Sequence, residues 1–503
     1  MDRTLKLGFN TFDDCVLQNS AQFTLPLACG GDFVFCHTSP ALTHGVRGKE
    51  KATLLAEIFR RNGTDFIANF EFQNVARHMT DEDGHDWCVC PDGAHRLNPN
   101  PAFIRALASR GNLLGVCYDE FDYSVSTRNL SMWLGDKTTF GAPCFVPLHT
   151  KDAVLQGDAV SETLRTYAAD ILAMGAPAFA AEHVFPILYH TFAANGVIPN
   201  FKAMKENPTV LQFAVAAGAA LEYGLPLWCC VDLWHRQTFP GHSPEELYYN
   251  LLFCYLAGVD LAYVESSPVL VKDGALTPHG QVYADFVNAY RGKARAFHAA
   301  DYRPEIGVIR YDDTWWGQNT FWYRGLYGNP RLVPDKRSKE WLRVIDLITF
   351  GESGRASFNL NRIDRTLLKK HRSFITMNAL AVFDHRPGEE ALRSLKLLFL
   401  CGLYVAPGTV RAVEKLVREQ GLTAVCPPRF LPARLSLLKR GTYAEIPDGK
   451  GLWIVAEDPA DRRILSAARD LIGEKNEVRL PFADRTLRLR ISENGETFTV
   501  KEG

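Results

Sequence analysis

Short apolar runs recur along the first 300 positions, and stretches with helical spacing separate most of them. The runs are LKLGFNTF (5–12), DFVFCHTS (32–39), TDFIANFEF (64–72), LLGVCYDEF (113–121), AFAAEHVF (178–185), VIPNFKAM (197–204), LPLWCCVDLW (225–234) and DLAYVESS (260–267). Several are almost continuously apolar, as strands buried on both faces must be. Between them, KEKATLLAEIFRRNG (49–63), NPAFIRALASRG (100–111), VSETLRTYAADILAMG (160–175), NPTVLQFAVAAGAALEYG (207–224) and SPEELYYNLLFCYLAG (243–258) have helical periodicity and end in Gly, a common helix terminator. HGQVYADFVNAYRGKARAF (279–297) would complete the ring. Eight strands alternating with helices predict a (β/α)8 TIM barrel over 1–301. The pattern is weakest at two places: no helix reads clearly between the first two strands, and the sixth strand is short and polar.

The texture changes at Tyr302. A strand in RPEIGVIRYDD (303–313) leads into the aromatic loop WWGQNTFWYRGLYGNP. A helix around 338–350, the runs SFNLNRID, FITMNALAVF and KLLFLCGLYVA, a helix over 408–421 and the strand LTAVCPP follow. This predicts a second, doubly wound, flavodoxin-like α/β unit over 302–440. It contains neither GxGxxG nor a Walker loop, so a nucleotide role has no support. From 441 to 503, alternating segments with a short helix near 461–472 predict a small β-rich C-terminal unit.

Composition narrows the function. The 503 residues are 47% hydrophobic and 22% charged, with 56 basic against 57 acidic side chains. That is an ordinary balance for a globular protein, and no basic run points to nucleic acid. No apolar stretch reaches membrane-spanning length. The N-terminus MDRTLKLGFNTFDD lacks the apolar core of a secretion signal. Many of the 12 cysteines, among them Cys36, Cys117, Cys229, Cys230 and Cys401, sit in strand-like runs and read as small buried hydrophobes of a reducing compartment. A cytoplasmic location is therefore expected, although a trimmed signal is compatible with this sequence. Cys88 and Cys90 form a lone CxC. With Cys117, Cys144, His85 and His95 it matches no zinc spacing, so no metal and no cofactor are expected.

Barrel active sites lie where strands end and βα loops begin. The polar residues there are Asn10 on the first strand, Glu71 on the third, Asp119 and Glu120 on the fourth, Glu182 on the fifth, Asp232 on the seventh and Glu265 on the eighth. Any one acid could cap a helix or bridge to an arginine. Acids on several buried strands together point to chemistry, because burying a carboxyl without purpose is costly. Glycosidic cleavage needs two: one protonates the departing oxygen, and the other attacks the anomeric carbon or activates water. Trp87, Trp133, Trp228, Trp234, Trp315, Trp316 and Trp322 offer flat faces for sugar rings, with core or interface packing as the alternative. His183, His235 and Arg236 are placed to orient substrate groups.

The acid-tipped CYDEF strand, the late strand AYVES, the following α/β unit and the β tail together resemble the layout of family 42 β-galactosidases and related barrel glycosidases. The resemblance implies an acid/base Glu ending strand four and a nucleophile Glu late in the barrel, matched here by Glu120 and Glu265. It also implies a middle domain with a class I amidotransferase fold but no amidotransferase chemistry, and a homo-oligomer, trimer or dimer. The sequence departs from the family twice. Asp119 stands where the family has Asn, and Glu265 falls on strand eight where the family uses strand seven, which leaves Asp119, Glu182 and Asp232 as alternative catalytic or substrate-binding residues. The expectation is a retaining glycoside hydrolase acting on a β-linked carbohydrate, with Asn10, Glu71, Trp234, His183 and His235 binding substrate. An inverting enzyme, a polysaccharide lyase and a non-catalytic sugar-binding barrel are the alternatives.

Overall fold

The computed structural model describes residues 3–38, 48–70, 101–122, 125, 150–205, 207–233, 241–317, 325–353, 372–438 and 442–502. Strands β1 (Lys6–Phe12), β2 (Phe33–His37), β3 (Asp65–Asn69), β4 (Leu113–Tyr118), β5 (Phe179–His183), β6 (Ile198–Ala203), β7 (Trp228–Asp232) and β8 (Leu261–Glu265) form a closed barrel in sequence order. β8 returns to pair in parallel with β1. All eight fall on the runs read from the sequence, so Glu265 does end the eighth strand and Asp232 the seventh.

The helices differ from expectation in instructive places. After β1 the chain forms Asp13–Leu17 and Ala21–Ala28. Pro26 lies inside the latter and hides it from a periodicity reading, since interior proline normally breaks a helix. The helix after β4, Ala153–Ala173, begins a full turn or more before position 160. Asp152 starts it by accepting from the amides of Val154 at 2.9 Å and Leu155 at 3.3 Å. The helix after β8, Pro278–Tyr290, stops short of 297 because Arg291 leaves helical conformation at ψ 130°.

Side chains alternate across each strand, so every second residue enters the barrel. The lower interior is apolar, with Phe33, Ile67, Ile198, Trp228 and Leu261 buried together and Phe35 stacked on Tyr263 at 3.9 Å. Trp228 is thus core. Gly8 makes room for this plug: a Cβ there would lie 2.5 Å from the Phe33 ring.

Beyond the barrel, Ile306–Ile309 lies between Leu380–Phe383 and Leu397–Leu400, all parallel, and Thr423–Cys426 and Gly451–Ala456 extend the sheet. The first strand has later strands on both sides, which is doubly wound order. Tyr443–Asp448 adds an antiparallel edge. These last two strands, read from sequence as part of the small β unit, belong by pairing to the α/β sheet. In exchange, Met377–Asn378 joins Glu477–Pro481, Thr486–Ile491 and Phe498–Glu502 in a second sheet.

The α/β sheet presses on the barrel helix Thr209–Tyr223. A Cβ on Gly218 would fall 1.7 Å from the Val382 carbonyl oxygen, and His190 Nε2 sits 2.9 Å from that same oxygen. Among the described residues, no helix is long and apolar enough to cross a membrane.

Candidate active site

At the carboxyl end of the barrel the alternation that buries apolar side chains below delivers polar ones. β2 ends in His37, β3 in Asn69, β7 in Asp232 and β8 in Glu265, while β4 is followed by Asp119. Glu182 is the polar inward residue of β5, and Asn200 and Lys202 are the polar inward residues of β6. All of these except Glu265 are buried.

They converge on Lys202. Its Nζ lies 2.6 Å from Glu182 Oε1, 3.3 Å from Asp119 Oδ1, 3.3 Å from Glu265 Oε2 and 3.4 Å from Asp232 Oδ2. Four carboxyls from four strands therefore share one ammonium. The side chain of Lys202 is 3% exposed and that of Glu265 14%, so Glu265 is the carboxyl nearest to solvent.

A second layer fixes the acids. Asn69 donates from Nδ2 toward Asp119 Oδ2 at 3.4 Å and accepts from the Asp119 amide at 3.2 Å. The same Nδ2 is 3.2 Å from His37 Nδ1, and His37 Nε2 is 3.7 Å from Glu265 Oε1. Cys230 Sγ donates to Glu265 Oε2 at 3.0 Å. Tyr263 donates to Glu182 and receives Asn200 Nδ2 at 2.9 Å. Asn10 Oδ1 accepts from the amides of Ser266 at 3.2 Å and Ser267 at 3.4 Å, bracing the turn after Glu265, where Ser266 is left-handed at φ 79°.

The carboxyls differ in charge state. Burial pushes Asp119 up, but the Lys202 ammonium, a hydrogen bond from Glu182 and His37 outweigh it and hold Asp119 below the usual carboxylate range. Burial and the Asp119 charge push Glu182 well up. Burial, opposed by Lys202 and reinforced by Asp232 and Asp119, raises Glu265 to about 8. Burial disfavours the Lys202 charge, yet the surrounding carboxyls hold its amine protonated well above the ordinary range. Near neutral pH the cluster thus contains an ionised acid, Asp119, beside a protonated one, Glu265.

Two groups could present metal ligands within 4.8 Å of one another: His37, Asp119 and Glu265, and Glu182, Cys230 and Glu265. The Lys202 ammonium already stands among the carboxyls of both groups and would repel a second cation.

The other expected residues fall as follows. Glu120 follows Asp119 in left-handed conformation at φ 52° and is half-buried. Two positions on, Asp122 accepts from the amides of Val184 at 3.2 Å and Phe185 at 2.9 Å, tying this turn to the one after β5. His183 faces away from the cluster, with Nδ1 3.0 Å from the Ile187 oxygen and its ring stacked on Tyr189 at 3.8 Å. Burial lowers it to about 3, so it is a neutral histidine of the helix layer. Being adjacent to Glu182 puts it on the opposite face of the strand. Trp316 is buried, stacked on Phe185 at 3.9 Å, and packs the interface. Glu71, Trp234, His235 and Arg236, as well as Trp87, Trp133, Trp322, Cys88 and Cys90, lie outside the described residues.

Sequence reasoning missed Lys202, His37, Asn69 and Tyr263. The signal for Lys202 was present: Ile198, Asn200 and Lys202 share one face of a strand that must be buried.

No family model matches the chain, and no curated protein matches it. Solved structures do. The exo-carrageenase GH42 of Bacteroides ovatus is similar over 97% of this chain and 73% of its own, at 9% identity and TM-score 0.41. The β-mannanase of Thermomonospora fusca in complex with mannotriose is similar over 58% of this chain and 92% of its own, at 10% identity and TM-score 0.35. The polyextremophilic β-galactosidase of the Antarctic haloarchaeon Halorubrum lacusprofundi is similar over 99% of both chains, at 10% identity and TM-score 0.59, so the whole succession of barrel, α/β sheet and β tail is a fold that this enzyme shares.

Proposed function

We propose that the protein is a glycoside hydrolase that cleaves a β-linked sugar by a retaining, two-carboxylate mechanism. The carrying observation is the pairing of Asp119 and Glu265: their oxygens approach within 4.8 Å, and one is held ionised while the other is held protonated. Retaining enzymes place their two carboxyls about 5–5.5 Å apart, with a proton on one of them. The haloarchaeal β-galactosidase adds a substrate class, a β-linked sugar, to a fold that supports many chemistries.

In this reading Glu265, at the edge of the cluster nearest to solvent, gives its proton to the departing glycosidic oxygen. The Asp119 carboxylate attacks the anomeric carbon. Water, deprotonated by Glu265, then releases the sugar with its original configuration. A second assignment keeps the chemistry but makes Glu120 the acid/base and Glu265 the nucleophile. It is favoured by the left-handed backbone at Glu120, since strain of this kind gathers at functional sites.

The deciding experiment is azide rescue of Asp119→Asn, Glu120→Gln and Glu265→Gln on aryl glycosides. Loss of the nucleophile yields a glycosyl azide of inverted configuration, and loss of the acid/base yields one of retained configuration. Proton NMR of the first-formed anomer must show retention. Inversion, or an unsaturated product absorbing in the near ultraviolet, would replace the reading with an inverting hydrolase or a lyase. Binding without release across a glycoside panel would make the barrel a sugar-binding protein.

A further inference from the structure

We propose that Lys202 is a positioning residue, a built-in counter-cation that holds the strand-end carboxyls together and keeps Asp119 in its anionic form for the reaction. The inference deepens the hydrolase reading and rests on it for the meaning of the reaction, though not for the electrostatics. Its ground is geometric. Asp119 from β4, Glu182 from β5, Asp232 from β7 and Glu265 from β8 all lie within 3.4 Å of one nitrogen. Among the described residues, the remaining titratable groups facing the cluster are His37 on β2, Cys117 on β4, Cys230 on β7 and Tyr263 on β8. Burial raises all three of Cys117, Cys230 and Tyr263 well above their ordinary values, so none brings a charge of its own near neutral pH.

One ammonium cannot compensate four carboxylates in a buried site. Some of the carboxyls must keep their protons, and position decides which. Asp119 is favoured for ionisation because Lys202 and the Asn69 amide both face it. Glu182 lies nearest to Lys202, but it gives its own proton in a hydrogen bond to Asp119, and burial and the Asp119 charge keep that proton in place, while Glu265 lies next to two other acids. Lys202 therefore acts through Asp119 and Glu265 and need not touch the sugar. A protonated amine is also no nucleophile, so the role excludes imine chemistry at this lysine.

The test compares wild type with Lys202→Met and Lys202→Arg by two measurements. The first is the pH profile of kcat/KM on an activated aryl glycoside. Lys202→Met is expected to fall roughly 100-fold or more, with its ascending limb displaced upward by about one pH unit or more. Lys202→Arg, which keeps the charge, is expected to hold the limb in place. The second is infrared titration of the carboxyl band in the free protein. The wild-type band should lose a protonated carboxyl near pH 8, and Lys202→Met should retain one further protonated carboxyl at neutral pH.

A folded Lys202→Met with unchanged titration overturns the proposal even if glycosides are cleaved. A shifted titration in a protein that cleaves no glycoside overturns the hydrolase reading and leaves the counter-cation standing. If Lys202→Met does not fold, Asp119→Asn substitutes for it: removing that charge must lower the Glu265 titration, and an unchanged value overturns the proposal. Borohydride trapping with a reducing sugar should leave Lys202 unmodified, and an adduct there would overturn its role as a fixed cation.

Discussion

Both parallel sheets of this protein carry charged residues at the carboxyl ends of their strands, yet the two clusters are built differently. In the α/β sheet, Arg310 follows the first strand and is fully buried. It donates from Nη2 to the Pro186 oxygen at 2.8 Å and to Asp312 at 3.0 Å, and its cation lies 4.0 Å from the Trp341 ring centroid. Beside it, Glu340 accepts from the Gly402 amide at 3.0 Å and from Arg429, which also donates to the Gly402 oxygen at 2.9 Å. Here each arginine has its own carboxyl, Arg310 with Asp312 and Arg429 with Glu340, backbone groups take up part of the remaining capacity, and one further acid, Asp313, stands beside them, raised to about 7 chiefly by burial. At the barrel mouth, among the described residues, a single lysine faces four acids, and the excess negative charge is held as protons. A paired cluster holds two elements together, whereas an over-supplied one stores a proton that can be given away.

Substitutions that treat the clusters alike test this contrast. Asp119→Asn should lower kcat/KM by roughly 10²–10⁴-fold with little change in the thermal midpoint, measured by glycoside kinetics and calorimetry on the same preparation. Arg310→Met should do the reverse. Breaking a buried pair costs about 3–5 kcal/mol, so denaturant unfolding should reveal a large loss of stability while kcat per folded molecule stays unchanged. An Arg310 variant that is stable but inactive would erase the distinction.

Tyr263→Phe removes the hydroxyl that meets Glu182 below the mouth. It should cost about 1–3 kcal/mol of stability and only a few-fold in kcat. The last prediction concerns pH. Glu265 and Glu222, whose Oε2 accepts the Asp384 amide at 3.0 Å where barrel meets sheet, are each raised to about 8, chiefly by burial. Unfolded, they titrate near 4.3. Between those values the folded chain holds protons that the unfolded chain has lost, so stability should fall as pH rises from about 4.3 to 8. Thermal midpoints across that window check the sign, and Glu222→Gln should flatten the decline.

Much of this was legible in the sequence because a buried strand writes its surroundings into its alternation. All eight barrel strands read correctly, and four of the acids singled out, Asp119, Glu182, Asp232 and Glu265, are the four that meet. Their meeting point was not legible, since a run of eight residues says nothing about which residue stands across the barrel. Lys202 was passed over because its polarity looked like weakness in the sixth strand. The inward positions Asn200 and Lys202 account for that polarity. His183 drew attention by adjacency to an acid, when adjacency in a strand means the opposite face. The strands at 443–456 alternate like any edge hairpin, and alternation does not say which sheet they join.

The contact between Gly218 and Val382 bears on how the chain is made. The helix that follows the lysine-bearing strand is buried from Thr209 to Ala220, and part of its cover is a strand ending at Phe383. During synthesis that cover is missing until roughly 160 further residues have been added, about 8–32 s at the usual 5–20 residues per second. Throughout that interval the nascent barrel presents a bare apolar stripe to its surroundings. A chaperone has a window there, and a pause in translation before Phe383 is added would lengthen it.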